Sequence, residues 1–172
     1  MTKYKHQYRI ETTRLKTWDY SSSGWYFVTI CIKDHYPILG KIIDGKMHLS
    51  RAGTIVAEEW VRTGTLRSDL SLDQWVVMPN HMHGILVIEN IKPSQRDVST
   101  FTLKRNSLGS IINQFKGKCT KRIQISGFPE FAWQPRYYDH IIRNDDSLQK
   151  IRRYIQENPL KWEMDEYYSG NS

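Results

Sequence analysis

His81 and His83 stand either side of Met82, and on a β-strand that spacing sends both imidazoles to one face while Met82 points to the other. Two imidazoles so placed are close enough to hold one metal ion. The triplet follows Pro79-Asn80 and runs into Gly84-Ile85-Leu86-Val87-Ile88, an apolar stretch of strand character. Towards the other end of the chain Tyr154 and Asn158 are four residues apart, one turn from each other on one face of a helix. If that helix packs over the start of the histidine strand, a phenol, a carboxamide and two imidazoles converge. A divalent metal held by His81, His83 and the Asn158 oxygen would then polarise a phosphate for attack by Tyr154. Mixed nitrogen and oxygen ligands with open positions suit Mg or Mn. A phenol with an ordinary pKa of about 10 needs activation by the metal or a base to act as a nucleophile. Taken singly, each of these residues has a structural reading too: a pair of strand histidines, an amphipathic-helix tyrosine, and an asparagine before Pro159 at a helix end.

The elements that must position them follow from pattern. Trp25 to Ile32 is rich in aromatic and β-branched residues, is bounded by Ser21-Ser22-Ser23-Gly24 and Pro37, and predicts a buried strand. Asp44-Gly45 between two short apolar segments predicts a hairpin. Ser50 caps a predicted helix to about Thr63, with Ile55, Val56, Glu59 and Trp60 on one side. Leu72 to Met78 and His81 to Ile88 predict two antiparallel strands, which places the histidines at the start of a strand near a sheet edge. Asn90 to Asn106 predicts a polar loop, and Ser107 caps a helix to about Ile123. Tyr137 to Ile142 predicts a fourth strand, and Asn144 or Asp145 caps a last helix that ends at Asn158-Pro159. The order is that of an α+β domain with a ferredoxin-like split βαβ antiparallel sheet and an additional C-terminal helix carrying the tyrosine.

Composition narrows the partner. The 172 residues carry a net charge of +7, suit one domain, and contain no stretch of the roughly 18 apolar residues that a membrane span needs. Cys31 and Cys119 form no CxxC pattern, so neither a disulfide framework nor a thiolate zinc site is expected, and a cytoplasmic setting is the default. Lys and Arg are interleaved with Tyr and Trp, a mixture that suits single-stranded or looped nucleic acid, because cations track phosphates and rings stack on unpaired bases. The candidate nucleic-acid contacts are Lys116, Lys118, Lys121 and Arg122 on one helix, Arg136 and His140 around the fourth strand, and Arg152 and Arg153 beside the tyrosine.

Met78-Pro79-Asn80-His81-Met82-His83, the tract from Trp133 to Arg143 and the ending from Tyr154 to Trp162 together resemble the single-tyrosine HUH transposases, and more closely the REP-associated tyrosine transposases. The resemblance spans roughly residues 20 to 162. It implies a metal-dependent endonuclease and strand transferase acting on hairpin-bearing single-stranded DNA. By that likeness His81 and His83 are the metal ligands, Tyr154 is the nucleophile that forms a 5′-phosphotyrosine, and Asn158 is the polar ligand, where some members carry Gln. The expected organisation is a basic arm over residues 1–20, a catalytic domain over 21–165 and a tail over 166–172, in a monomer or homodimer. The competing classes are a non-catalytic hairpin-binding protein and a water-using metal phosphohydrolase. A binuclear hydrolase would want further Asp and His near the triplet, and Gly84 to Ile88 offers none.

Overall fold

A computed structural model describes residues 3–4, 7–8, 19–20, 22–89 and 107–168. The predicted loop from Asn90 to Asn106 and most of the basic arm lie outside the described residues. Within the arm, β1 (Lys3–Tyr4) and β2 (Gln7–Tyr8) pair antiparallel. The main chain of elements is β3 (Gly24–Cys31), the hairpin β4 (Gly40–Ile43) and β5 (Lys46–Leu49), α1 (Arg51–Thr65), β6 (Leu70–Val77), β7 (His81–Ile88), α2 (Leu108–Ile125), β8 (Tyr138–Ile142) and α3 (Asp145–Glu157).

The four long strands form one antiparallel sheet in the order β6-β7-β3-β8, the split βαβ arrangement that the sequence predicts. β7 is not at an edge. It lies between β6 and β3, because the α1 crossover carries β6 to the outside and β7 returns beside β3. This interior position is what buries the histidines.

Local chemistry sets the element boundaries. Asp44 and Gly45, with φ of 51° and 70°, make the tight hairpin turn. Ser50, Ser107 and Asn144 cap the three helices, their side-chain oxygens accepting from the backbone N–H of Gly53, Ser110 and Ser147. Between the predicted alternatives at the last helix it is Asn144 that caps, while Asp145 and Asp146 lie in the first turn, where the helix dipole favours acids.

The sheet buries both faces. On one, α1 and α2 close over Tyr26, Val28, Ile30, Met82 and Leu86, with the Trp60 and Phe115 rings edge to face at 5.1 Å. On the other, Leu148 and Ile155 of α3 cover Phe27, Ile85 and Ile142. Gly84 is dictated by close approach, since a Cβ there would sit 2.4 Å from Cζ2 of the fully buried Trp60.

Gly84→Ala should therefore overpack this contact and cost about 1–3 kcal/mol. Urea unfolding checks it, and an unchanged midpoint would show that Trp60 yields freely.

Candidate active site

Both histidines emerge on the α3 face of the sheet, and Met82 enters the opposite core. His81 and His83 are 0% and 1% exposed, with their Nε2 atoms 3.0 Å apart. Across the strand pair, Thr29 stands opposite His83, and its Oγ1 lies 2.9 Å from His83 Nδ1. His81 Nδ1 donates to Asn80 Oδ1 at 2.8 Å. The Phe27 ring stacks on His83 at 5.5 Å, and the Tyr167 and Trp162 rings flank His81 at 4.7 and 5.9 Å.

α3 lays Tyr154 over this pair. The phenol oxygen is 3.2 Å from His83 Nε2, and the ring meets Phe27 edge on. Leu148 and Ile155 supply the helix's apolar side. Its polar anchor is Arg152, whose Nε and Nη2 donate to the Asp73 carboxylate at 2.8 and 2.6 Å. The pairs Leu72–Leu86 and Trp75–Gly84 leave Asp73 and Gln74 together opposite Ile85, so Asp73 sits in a β-bulge, a distortion that re-aims a side chain.

The α-helix ends at Glu157 with Asn158 as its C-cap, as the Asn-Pro pair predicts, but the chain does not leave the helical path there. Asn158 keeps helical angles (φ −56°, ψ −43°), and the chain continues as a 3-10 segment over Asn158–Met164 with Pro159 in its first turn. Proline lacks the N–H that a first turn leaves unused, so the tighter helix starts there without loss. That segment buries Asn158 and delivers Asp165 to the site. Asn158 Nδ2 donates to Asp165 Oδ2 at 2.8 Å, while its buried Oδ1 has no hydrogen-bond partner among the described residues.

Ligand-type atoms of His81, His83 and Asp165 all lie within 4.8 Å of one another. Two imidazole nitrogens and a carboxylate form a donor set fit for a divalent cation. Asp165 is absent from the sequence reading. Nothing in Asp165-Glu166-Tyr167-Tyr168 marks it as a ligand, because its position depends on the path of the 3-10 segment.

The electrostatics follow from burial. Desolvation, with His35 nearby, pushes His81 down to about 3, and desolvation and His81 push His83 well below the usual imidazole range against the pull of Asp165. Burial, reinforced by the Asp165 and Glu166 carboxylates, pushes the Tyr154 phenol up to about 12. Cys31, cross-strand from His81, is raised to about 12 chiefly by burial and stays a thiol.

The candidate DNA contacts divide. Arg152 holds Asp73, and Arg122 bridges Glu58 and the buried Glu59 on α1 at 2.6 and 2.8 Å. Lys116, half-buried, turns onto the carbonyls of Gln134 and Pro135. Lys118 and Lys121 are exposed on α2, on the far side of the sheet from Tyr154. Arg136 and Arg153 are exposed, and exposed His140 shares the face of its cross-strand partner Phe27.

A four-stranded antiparallel sheet with a C-terminal helix packed over one face is a transposase-like fold. The solved structure of a REP-associated tyrosine transposase bound to a REP hairpin has this fold, with a TM-score of 0.56 and 22% identity over 94% of this chain and 74% of that one. No family model matches the chain. It belongs to the same family as an uncharacterized protein of Haemophilus influenzae (strain ATCC 51907 / DSM 11121 / KW20 / Rd), which is 37% identical over 163 residues, 90% of this chain and 91% of that protein.

In the protein stripped of metal, the depressed histidines set a pH dependence. Between about pH 6.5 and about pH 3 the unfolded chain protonates His81 while the folded chain does not, so stability falls as pH falls through that window. Urea midpoints in chelator should drop from pH 7 to pH 5, and drop less in His81→Gln. An identical drop in that variant would mean that other groups carry it.

Proposed function

We propose that the protein is a metal-dependent endonuclease and strand transferase for single-stranded, hairpin-bearing DNA, with Tyr154 as nucleophile. The observation that carries this reading is the placement of the Tyr154 oxygen 3.2 Å from His83 Nε2, at the mouth of a buried donor set. His81, His83, Asn158 and Asp165 would hold a divalent cation, Mg or Mn, which supplies Lewis-acid polarisation of the scissile phosphate and favours the phenolate. The Tyr154 oxygen attacks phosphorus, the P–O3′ bond breaks, the departing oxygen takes a proton to become a 3′-hydroxyl, and the 5′ side stays linked to tyrosine. The phosphodiester energy is kept in that bond, so the reaction can reverse onto another 3′-hydroxyl. The Phe27 ring meets the tyrosine edge on and Arg152 fixes the helix, an arrangement in which the phenol would serve the site of its own chain.

Partner choice rests on charge and on fold. The net charge of +7 suits a polyanion, and the REP-associated transposase of the same fold carries a bound hairpin. Arg136, His140 and Arg153 would contact DNA beside the site, and Lys118 and Lys121 would attract it from the other layer. The residues of the arm would reach DNA next to the hairpin. Among the described residues no helix is long and apolar enough to cross a membrane, and a cytoplasmic setting goes with this reading.

Incubation with Mn²⁺ and labelled single-stranded hairpins from the DNA flanking its own gene should give a covalent protein–DNA adduct on a denaturing gel. Tyr154→Phe should abolish the adduct and keep hairpin binding, since the ring survives without the nucleophile. His81→Ala should weaken metal binding at least about 100-fold, beyond what loss of a supporting contact costs. Hairpin binding without any adduct would favour a binding protein, and cleavage without an adduct a water-using hydrolase.

A further inference from the structure

The Asn80 side chain is fully buried, and its Nδ2 donates to two backbone carbonyls, His35 O at 3.1 Å and Tyr167 O at 2.7 Å. Carbonyls only accept, so that atom is the amide nitrogen and the atom facing His81 Nδ1 is the oxygen. An oxygen at 2.8 Å requires a proton on Nδ1, and a neutral His81 therefore presents a lone pair at Nε2.

That lone pair faces His83 Nε2 at 3.0 Å. Two lone pairs cannot face each other at that distance unless a proton or a cation lies between them. Without metal, His83 must place its proton on Nε2 and donate it to His81, and its Nδ1 must then accept from the Thr29 hydroxyl. A cation held between the two rings would be met by both Nε2 atoms. His83 must then carry its proton on Nδ1, donating to Thr29. A hydroxyl serves either state, because it can donate or accept. Valine, of the same shape, serves neither.

We propose that Asn80 and Thr29 are positioning residues that set the histidine tautomers: Asn80 holds His81 permanently as the Nδ1–H form, and Thr29 lets His83 change form when a divalent cation arrives. His83 gives up its Nε2 proton and takes one at Nδ1, so the ring stays neutral and no net proton is released, while the Thr29 hydroxyl turns from donor to acceptor. The proposal rests on the metal-binding part of the function proposed above and is independent of its DNA chemistry. The register of β3 on β7, with Thr29 opposite His83, is what brings the hydroxyl there.

Imidazole ¹H–¹⁵N correlation spectra of the full chain read the tautomers directly. In chelator, His81 should be the Nδ1–H form and His83 the Nε2–H form, and saturation with Zn²⁺ should leave both as Nδ1–H. An Nε2–H His81, a His83 unchanged at saturation, or no Zn²⁺ binding would overturn the proposal. By calorimetry, Thr29→Val should raise the Zn²⁺ Kd about 10–100-fold and Thr29→Ser should stay within about threefold of the wild type. Equal affinity in Thr29→Val would also overturn it, and the wild-type spectra decide the matter alone if that variant fails to fold. A protein that passes both tests yet forms no DNA adduct would sink the strand-transfer reading and leave this one standing.

Discussion

Two imidazoles packed nitrogen to nitrogen at 3.0 Å, with almost no exposed surface, are the constraint on which the rest of this structure depends. Neither ring can carry charge there cheaply, and every nitrogen needs a partner of the right kind. The partners come from elements far apart in sequence: Thr29 from β3, Asn80 from the turn before β7, and Tyr154 from α3. A slip of one residue between β3 and β7 would turn both histidines into the apolar core beneath α1 and α2. That core therefore protects the site. Met82 and Leu86 hold the register from one face, and Trp60 closing on Gly84 holds it at the strand's midpoint.

Placing the tyrosine is a separate problem, solved by α3 and the segment after it. Five apolar side chains would seat the helix over a range of positions along the sheet, since hydrophobic contact has little direction. The paired hydrogen bonds from Arg152 to Asp73 have direction. The bulge that presents Asp73 thus converts an apolar docking into a defined position for Tyr154, two residues on. The 3-10 segment then carries the chain on to the site, so that Asp165 joins the histidines and Tyr167 packs on His81.

What the sequence discloses and what it hides divide along this line. Local rules reach the strand at β7, the hairpin at Asp44-Gly45, the three helix caps and the Tyr154–Asn158 face, because neighbours within about four residues determine each. They also reach the α+β, split βαβ class, through the succession of strands and helices along the chain. The interior position of β7 escapes the hairpin reading, since two antiparallel strands say nothing of which one a third strand will join. Asp165 escapes because Asn-Pro marks where α3 stops and not the tighter 3-10 turn that proline then opens. The commitments of Arg122 to Glu58 and Glu59 and of Arg152 to Asp73 escape because the partners are more than sixty residues away.

Charge in the folded molecule is arranged against expectation, and the arrangement has a consequence for catalysis. The exposed lysines of α2 lie on the layer away from Tyr154, while Asp165 and Glu166 gather beside it and raise the phenol's pKa. Fields from the distant lysines reach about a Debye length, roughly 8–10 Å into solvent, enough to attract a polyanion to the surface but too little to neutralise carboxylates at the site. The same carboxylates that would attract a cation repel a phosphate and disfavour the phenolate. Under the function proposed above, substrate approach and nucleophile activation would both depend on metal occupancy.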